Sequence, residues 1–260
     1  MSNYQDRFRG IEQLYGAGSL AKLQSAKITI IGLGGVGSWV VEGLARCGIG
    51  SLQLVDIDEV CVHNTNRQAC ANVNTIGQSK AQVLREQVLA INPDCIVEIE
   101  EAFFKARNAQ AILENSGSVV IDAIDAYKEK ALIIAKAKEQ QLQVITIGST
   151  GGKKLNKDIC VDDLSIAKDS LLRKVRTTLR QEYKFVKGAA NPQRKPKKMK
   201  VHAVYSKEAI MILDEGNKPI KQQAGFNCQT GLGASMLVTA AFAMRAAAKA
   251  VDLILEEQGG

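Results

Sequence analysis

The segment AKITIIGLGGVGS, Ala26 to Ser38, restricts the fold more than any other part of this chain. Its first half is a short apolar, β-branched run, the profile of a strand buried on both faces of a parallel sheet. Its second half turns at once into a helix whose residues Val36, Val40, Val41 and Leu44 share one face, with Gly48 and Gly50 to stop it. The same alternation then repeats. Strands are expected at Ser51–Asp58, Cys95–Glu100, Ser118–Asp122 and Leu142–Gly148. Between them lie a helix from Ser79 that Pro93 ends, a short helix near Asn108–Glu114, and a helix over Tyr127–Gln140. Strands separated by helices of this length imply parallel βαβ units with right-handed crossovers. The expected fold is α/β: a Rossmann-like, mostly parallel sheet with helices on both faces.

After Gly152 the pattern changes. Residues 1–152 read as a nucleotide-binding unit. Residues 153–260 read as a basic crossover, further strands and a C-terminal helix that extend the same sheet. A charged helical stretch, Leu171–Arg180, precedes GAANPQRKPKKMK (Gly188–Lys200), which has too few apolar side chains to bury and reads as a mobile loop. Strand-like VHAVYS follows, then an Ala-rich helix from about Gly231. Arg245 and Lys249 interrupt that apolar run, so it reads as a buried or interface helix and not a membrane span.

The net charge of +7 is unevenly placed. Lys168 to Lys207 holds 13 Lys or Arg against Asp169 and Glu182, a balance of +11, which leaves −4 for the rest. Such a concentration attracts a polyanion. The six cysteines form no CxxC pair, which argues against a disulfide framework and a four-cysteine zinc site. Cys160 and Cys228 have no evident activating neighbours and read as small buried residues. The charged start MSNYQDRFRG carries no apolar signal segment, so a reducing, cytoplasmic setting is expected.

Gly32, Gly34, Gly35 and Gly37 form a GxGxxG motif between strand and helix, where bare backbone approaches a nucleotide and N–H groups face anionic oxygens. Asp56, at the end of the next strand, is placed to accept hydrogen bonds from ribose hydroxyls. A glycine motif followed by an acid also suits NAD, but the residues that follow favour ATP. Asn64, Arg67 and Gln68 share one polar loop and Lys80 opens the next helix, a set suited to neutralising a triphosphate as pyrophosphate leaves. Taken singly, each of these residues would pass for part of a solvated loop. Asp125 lies just past a strand's carboxyl end, and Asp122 and Asp125 are candidate Mg²⁺ carboxylates. Asp125 would equally serve as a helix cap.

Five ordered motifs carry a family resemblance: GLGGVGS, LVDIDEV, NTNRQ, GQSKA and DAIDA. Together they resemble the ThiF/MoeB/ubiquitin-activating superfamily of adenylating enzymes. RFRGIEQLYG, IDAIDAYKEKALI, VYSKE and GFNCQTGLGAS are similar to its tRNA-modifying branch, which dehydrates threonylcarbamoyladenosine. The resemblance implies that Asn64, Arg67 and Lys80 grip phosphates, that Asp125 binds Mg²⁺, and that Arg7 reaches ATP from the other subunit of a homodimer, with Arg9 as its competitor. It also implies tRNA as substrate, held by Arg194, Lys195, Lys197, Lys198 and Lys200, and raises association with a cysteine desulfurase or sulfur acceptor. Three other readings stay open: adenylation of the C-terminal glycine of a ubiquitin-like sulfur carrier, an NAD-dependent oxidoreductase, and a non-catalytic tRNA-binding module.

Overall fold

The computed structural model describes residues 3–154, 158–186, 196–213, 219–220 and 232–256. Two helices not anticipated from the sequence come first, α1 (Tyr4–Tyr15) and α2 (Ser19–Ser25). The expected alternation follows: β1 (Lys27–Ile31), α3 (Gly37–Arg46), β2 (Ser51–Val55), α4 (Lys80–Ile91), β3 (Ile96–Glu100), α5 (Ala109–Glu114), β4 (Val119–Asp122), α6 (Tyr127–Glu139) and β5 (Gln143–Ile147). Beyond it lie β6 (Ile159–Asp163), α7 (Ser170–Glu182), β7 (His202–Ser206), a small hairpin of β8 (Ile212–Leu213) with β9 (Pro219–Ile220), and α8 (Met236–Glu256).

The main sheet has the order β3-β2-β1-β4-β5-β7-β6. Every pairing in it is parallel except β6 with β7, so the later half of the chain adds two strands to the sheet begun by the first half. The edge strand β6 was not anticipated. Its sequence, ICVDD, carries two acids and stays half-buried, which hides the usual apolar signal.

Helices cover both faces, as central strands buried on both sides require. One core joins α3, α4 and α8 to Ile28, Ile30, Leu52 and Leu54. The other joins α5, α6 and α7 to Ile31, Val120, Val144 and Ala203. Val40, Val41 and Leu44 of α3 are fully buried, each contributing roughly 1.5–3 kcal/mol of transfer free energy. Helices α3 and α8 approach closely at Gly43, where an added Cβ would stand 3.0 Å from the Met244 Cε. The apolar C-terminal run is therefore a layer helix of this α/β fold. No helix among the described residues is long and apolar enough to cross a membrane.

Candidate active site

From β1 the chain steps outward to β2 and β3, then returns to β4 on the other side of β1. The crevice between the carboxyl ends of β1 and β4 is thus a topological switch point, where open α/β sheets bind their ligands. The glycine turn and Asp125 border it from its two sides.

Within the turn the glycines have different reasons to be there. Gly32 has φ +92°, and an added Cβ would lie 2.7 Å from the Ile124 Cγ2. At Gly37 a Cβ would fall 1.8 Å from the Gly32 carbonyl oxygen, so no side chain fits. At Gly35 it would press on Thr239 and Arg67 at 3.2 and 3.5 Å. Gly34 has nothing within 4 Å. The protein itself does not require its bareness, whereas a nucleotide lying over the turn would. Val36, the N-cap of α3, provides no side-chain cap; the Ser38 N–H donates to the Gly34 carbonyl at 3.1 Å, which leaves the Gly37 N–H at the helix start for anionic oxygens.

Asp56 follows β2 and is locked in place. Its Oδ2 accepts the Leu33 N–H at 2.6 Å and its Oδ1 the Asp58 N–H at 2.9 Å, which ties it to the glycine turn. Both oxygens keep lone pairs for ribose hydroxyls. Beside it opens a cleft of about 700 Å³ lined by Ile57, Glu101, Phe103 and Arg107. Ile57 and Phe103 are 46% and 62% exposed there, apolar surface suited to a base.

The polar loop after Asp58 is bolted down from two helices. The Arg67 carbonyl accepts from Trp39 Nε1 at 3.0 Å and from the Thr239 hydroxyl at 3.2 Å, while the Asn66 carbonyl accepts the Met236 N–H at 3.0 Å. The Arg67 Nη1 is held by the His63 carbonyl at 2.7 Å and by Asn66 Oδ1 at 3.1 Å, leaving Nε and Nη2 for phosphate oxygens. Asn64 is buried and its Oδ1 accepts the Cys61 N–H at 3.0 Å, which orients the side chain and leaves its NH₂ group to donate to an anionic ligand. Gln68 is buried in the same loop, its N–H bonded to the Asn64 carbonyl. Lys80 opens α4 and pairs with Asp58 at 2.8 Å. Cys70 lies near Lys80, yet burial pushes its thiol up to about 11, so it is a neutral packing group.

The two β4 carboxylates part company. Asp122 is fully buried: its Oδ2 takes the Lys130 ammonium at 2.9 Å and the Thr146 hydroxyl at 2.6 Å. That removes it as a metal ligand, because its charge is already spent on a buried partner. Lys130 also donates to the Ile124 carbonyl at 2.9 Å and so anchors the turn that carries Asp125. Asp125 itself is exposed, with no side-chain partner among the described residues. The N-cap of α6 is Ala126, without a side-chain cap, so Asp125 does not play the capping role.

Residues 7–258 match the ThiF family. This chain belongs to the ThiF family. It is 43% identical over 259 residues to the tRNA threonylcarbamoyladenosine dehydratase of Haemophilus influenzae, covering 99% of this chain and 97% of that one. With the Escherichia coli protein of the same name it shares 35% identity, covering 97% and 94%. Crystal structures of the E. coli dehydratase in complex with ATP and with AMP align with TM-scores of 0.85 and 0.86. They are 35% and 34% identical to this ThiF-family chain, and each alignment covers 98% of it and 97% of the solved chain.

Other sequence-expected residues lie away from the crevice of this ThiF-family chain. Arg7 is exposed on α1, whose Tyr4 hydroxyl donates to the Gly48 carbonyl beyond the C-terminal end of α3. The 10 residues of α3 therefore separate α1 from the glycine turn, roughly 15 Å at 1.5 Å per residue. Lys197, Lys198 and Lys200 precede β7 and so lie at the amino edge of the sheet, where Asp163 accepts the Met199 and Lys200 N–H groups at 2.9 and 2.8 Å. Arg194, Lys195, Cys228 and most of the GFNCQTGLGAS motif lie outside the described residues. Asp58, Lys130 and Ile57 escaped sequence reasoning. For Asp58 a signal existed, since it stands two residues past Asp56 and the period of an extended chain places both on one side.

Proposed function

We propose that this chain is an ATP-dependent adenylating enzyme that dehydrates threonylcarbamoyladenosine in tRNA. The observation that carries the reading is the near-complete alignment with the ATP complex of the E. coli dehydratase, over a crevice whose donors suit a triphosphate. A carboxylate resists attack because its oxygen leaves poorly. The threonine-derived carboxylate therefore attacks the α-phosphorus of ATP, the bond to the bridging oxygen breaks, and pyrophosphate departs. The ureido oxygen then attacks the acyl carbon, AMP leaves and the ring closes with net loss of water. Such intramolecular attack is worth roughly 7–11 kcal/mol of barrier, so the mechanism needs no cysteine nucleophile.

In this reading Asp56 holds the ribose, the cleft at Ile57 and Phe103 takes the base, and Gly34 lies under the adenylate. Arg67, Lys80, Asn64 and Gln68 neutralise the leaving pyrophosphate. Asp125 fits a Mg²⁺ ligand: it is an exposed, uncommitted carboxylate at the switch point, and magnesium takes one or two carboxylates with phosphate oxygens. No group of three His, Cys, Asp or Glu among the described residues could hold a metal; Asp125 would hold the ion, which would supply positive charge against the phosphates. The distance from Arg7 to its own crevice favours a homodimer in which each arginine serves the partner's site.

The tRNA would lie on Lys197, Lys198 and Lys200 and on α7, which exposes Arg173 and Lys174. Transfer to a ubiquitin-like carrier is supported less, since a molybdopterin-synthase adenylyltransferase of Porphyra purpurea aligns with only 43% of this chain. A sulfur-system partner would act outside this chemistry, which moves no sulfur. The deciding assay combines the protein with ATP, Mg²⁺ and threonylcarbamoyladenosine-bearing tRNA, followed by nucleoside mass spectrometry. Loss of one water from the nucleoside is expected. ATP turnover with an unchanged nucleoside would refute the substrate, and absence of any turnover would refute adenylation.

A further inference from the structure

We infer that Asp58 is a positioning residue that holds the Lys80 ammonium in place for the departing phosphates. This rests on the ATP reading above. The pair is asymmetric: the Lys80 side chain is 7% exposed and that of Asp58 53%, with Nζ and Oδ2 2.8 Å apart. An ammonium withdrawn this far from water needs an acceptor or a counter-charge. Asp58 is the only group among the described residues that accepts from it. The lysine is thus deep in the site and the carboxylate stands at its mouth, unlike a surface ion pair in which both partners are solvated.

The main chain around Asp58 is pinned on both sides. Its N–H donates to Asp56 Oδ1 at 2.9 Å, and its carbonyl accepts the Lys80 N–H at 3.0 Å. Next to it, the Val60 N–H donates to the Gln78 carbonyl and the Gly77 N–H to the Val60 carbonyl, both at 2.8 Å. Since Asp56 also accepts the Leu33 N–H, one relay of contacts runs from the glycine turn through Asp56 and Asp58 to Lys80. Among the described residues the Asp58 carboxylate has no other hydrogen-bond or ion-pair partner, so the lysine is what holds it. Its salt bridge uses one of three ammonium donors and leaves two for phosphate oxygens. A carboxylate beside a triphosphate repels it, a cost that fixing the cation offsets.

Asp58→Ala leaves the withdrawn Lys80 ammonium without its acceptor, so the variant should melt cooperatively but below the parent, and its kinetics are read well under that midpoint. ATP–pyrophosphate exchange should fall about 10- to 100-fold, the scale of a misplaced catalytic group. Binding of ATP and pyrophosphate should weaken while AMP, which lacks the outer phosphates, binds as before. Asp58→Glu should recover part of the loss. In a Lys80→Ala background Asp58→Ala should add nothing, because it acts through the missing ammonium. Parental exchange kinetics in Asp58→Ala, tighter ATP binding, or an equal loss for AMP would each overturn the inference. The ATP reading fails separately, if Lys80→Ala alone leaves exchange intact.

Discussion

The two edges of the sheet are built for different work. At the carboxyl edge, Asp56, Asp58, Arg67 and Lys80 are held by backbone hydrogen bonds and by one another before any ligand arrives. At the amino edge, Arg7, Lys197, Lys198 and Lys200 are exposed cations. A strand of five residues at about 3.3 Å each puts roughly 16 Å between the edges, farther than a side chain reaches. The carboxyl edge can therefore act on a small ligand with its own side chains. Cations at the amino edge contribute only to something long enough to span the gap, such as an RNA or a second copy of the chain.

That contrast is tested most severely at the carboxyl edge. Lys80→Ala or Arg67→Ala should reduce ATP–pyrophosphate exchange on the order of 100-fold or more, the cost of losing a preorganised charge partner. Both variants should keep a cooperative melt, and full activity in both would dissolve the distinction between the edges. Mixing Arg7→Ala with Lys80→Ala protomers probes the second copy. Half of randomly formed twofold dimers are mixed and each has one intact site, so activity should return to about a quarter of the parental value. No recovery would place Arg7 outside the partner's site. The smallest effect belongs to the amino edge alone. Neutralising Lys197, Lys198 and Lys200 should weaken tRNA binding and lower the slope of log affinity against log salt by up to about 0.9 per lost phosphate contact. ATP binding, which needs no tRNA, should stay at the parental affinity, and an unchanged salt slope would remove this edge from RNA binding.

Much of the fold was legible because it rests on local signals. The β-branched runs and the glycine, proline and N-cap punctuation of the first 152 residues return as β1 to β5 with shifts of one residue at their ends, except β2, which stops three residues short of Asp58. What escaped was structure whose reason is non-local. Helix α1 is mostly polar and buries only Tyr4 and Phe8. Strand β6 exists because β7 offers it an edge to pair with in antiparallel register, Cys160 opposite Tyr205. In the site, the order of glycines, acids and cations was readable, since their chemistry depends on residue type and on position relative to strand ends. The fate of each side chain was not. Asp122 and Asp125 look interchangeable in DAIDA, yet one is neutralised by Lys130 in the interior and the other is exposed beyond the carboxyl end of β4.

The sequence by itself determined the alternating parallel sheet, the nucleotide turn and the charge asymmetry, because periodicity, glycine spacing and composition act over a few residues. Only the tertiary structure decided which carboxylate stays available, which acid holds Lys80, and that Arg7 and the lysines of 197–200 lie an edge away from the crevice. Those outcomes depend on strand order, and strand order is set by which distant segments bury each other.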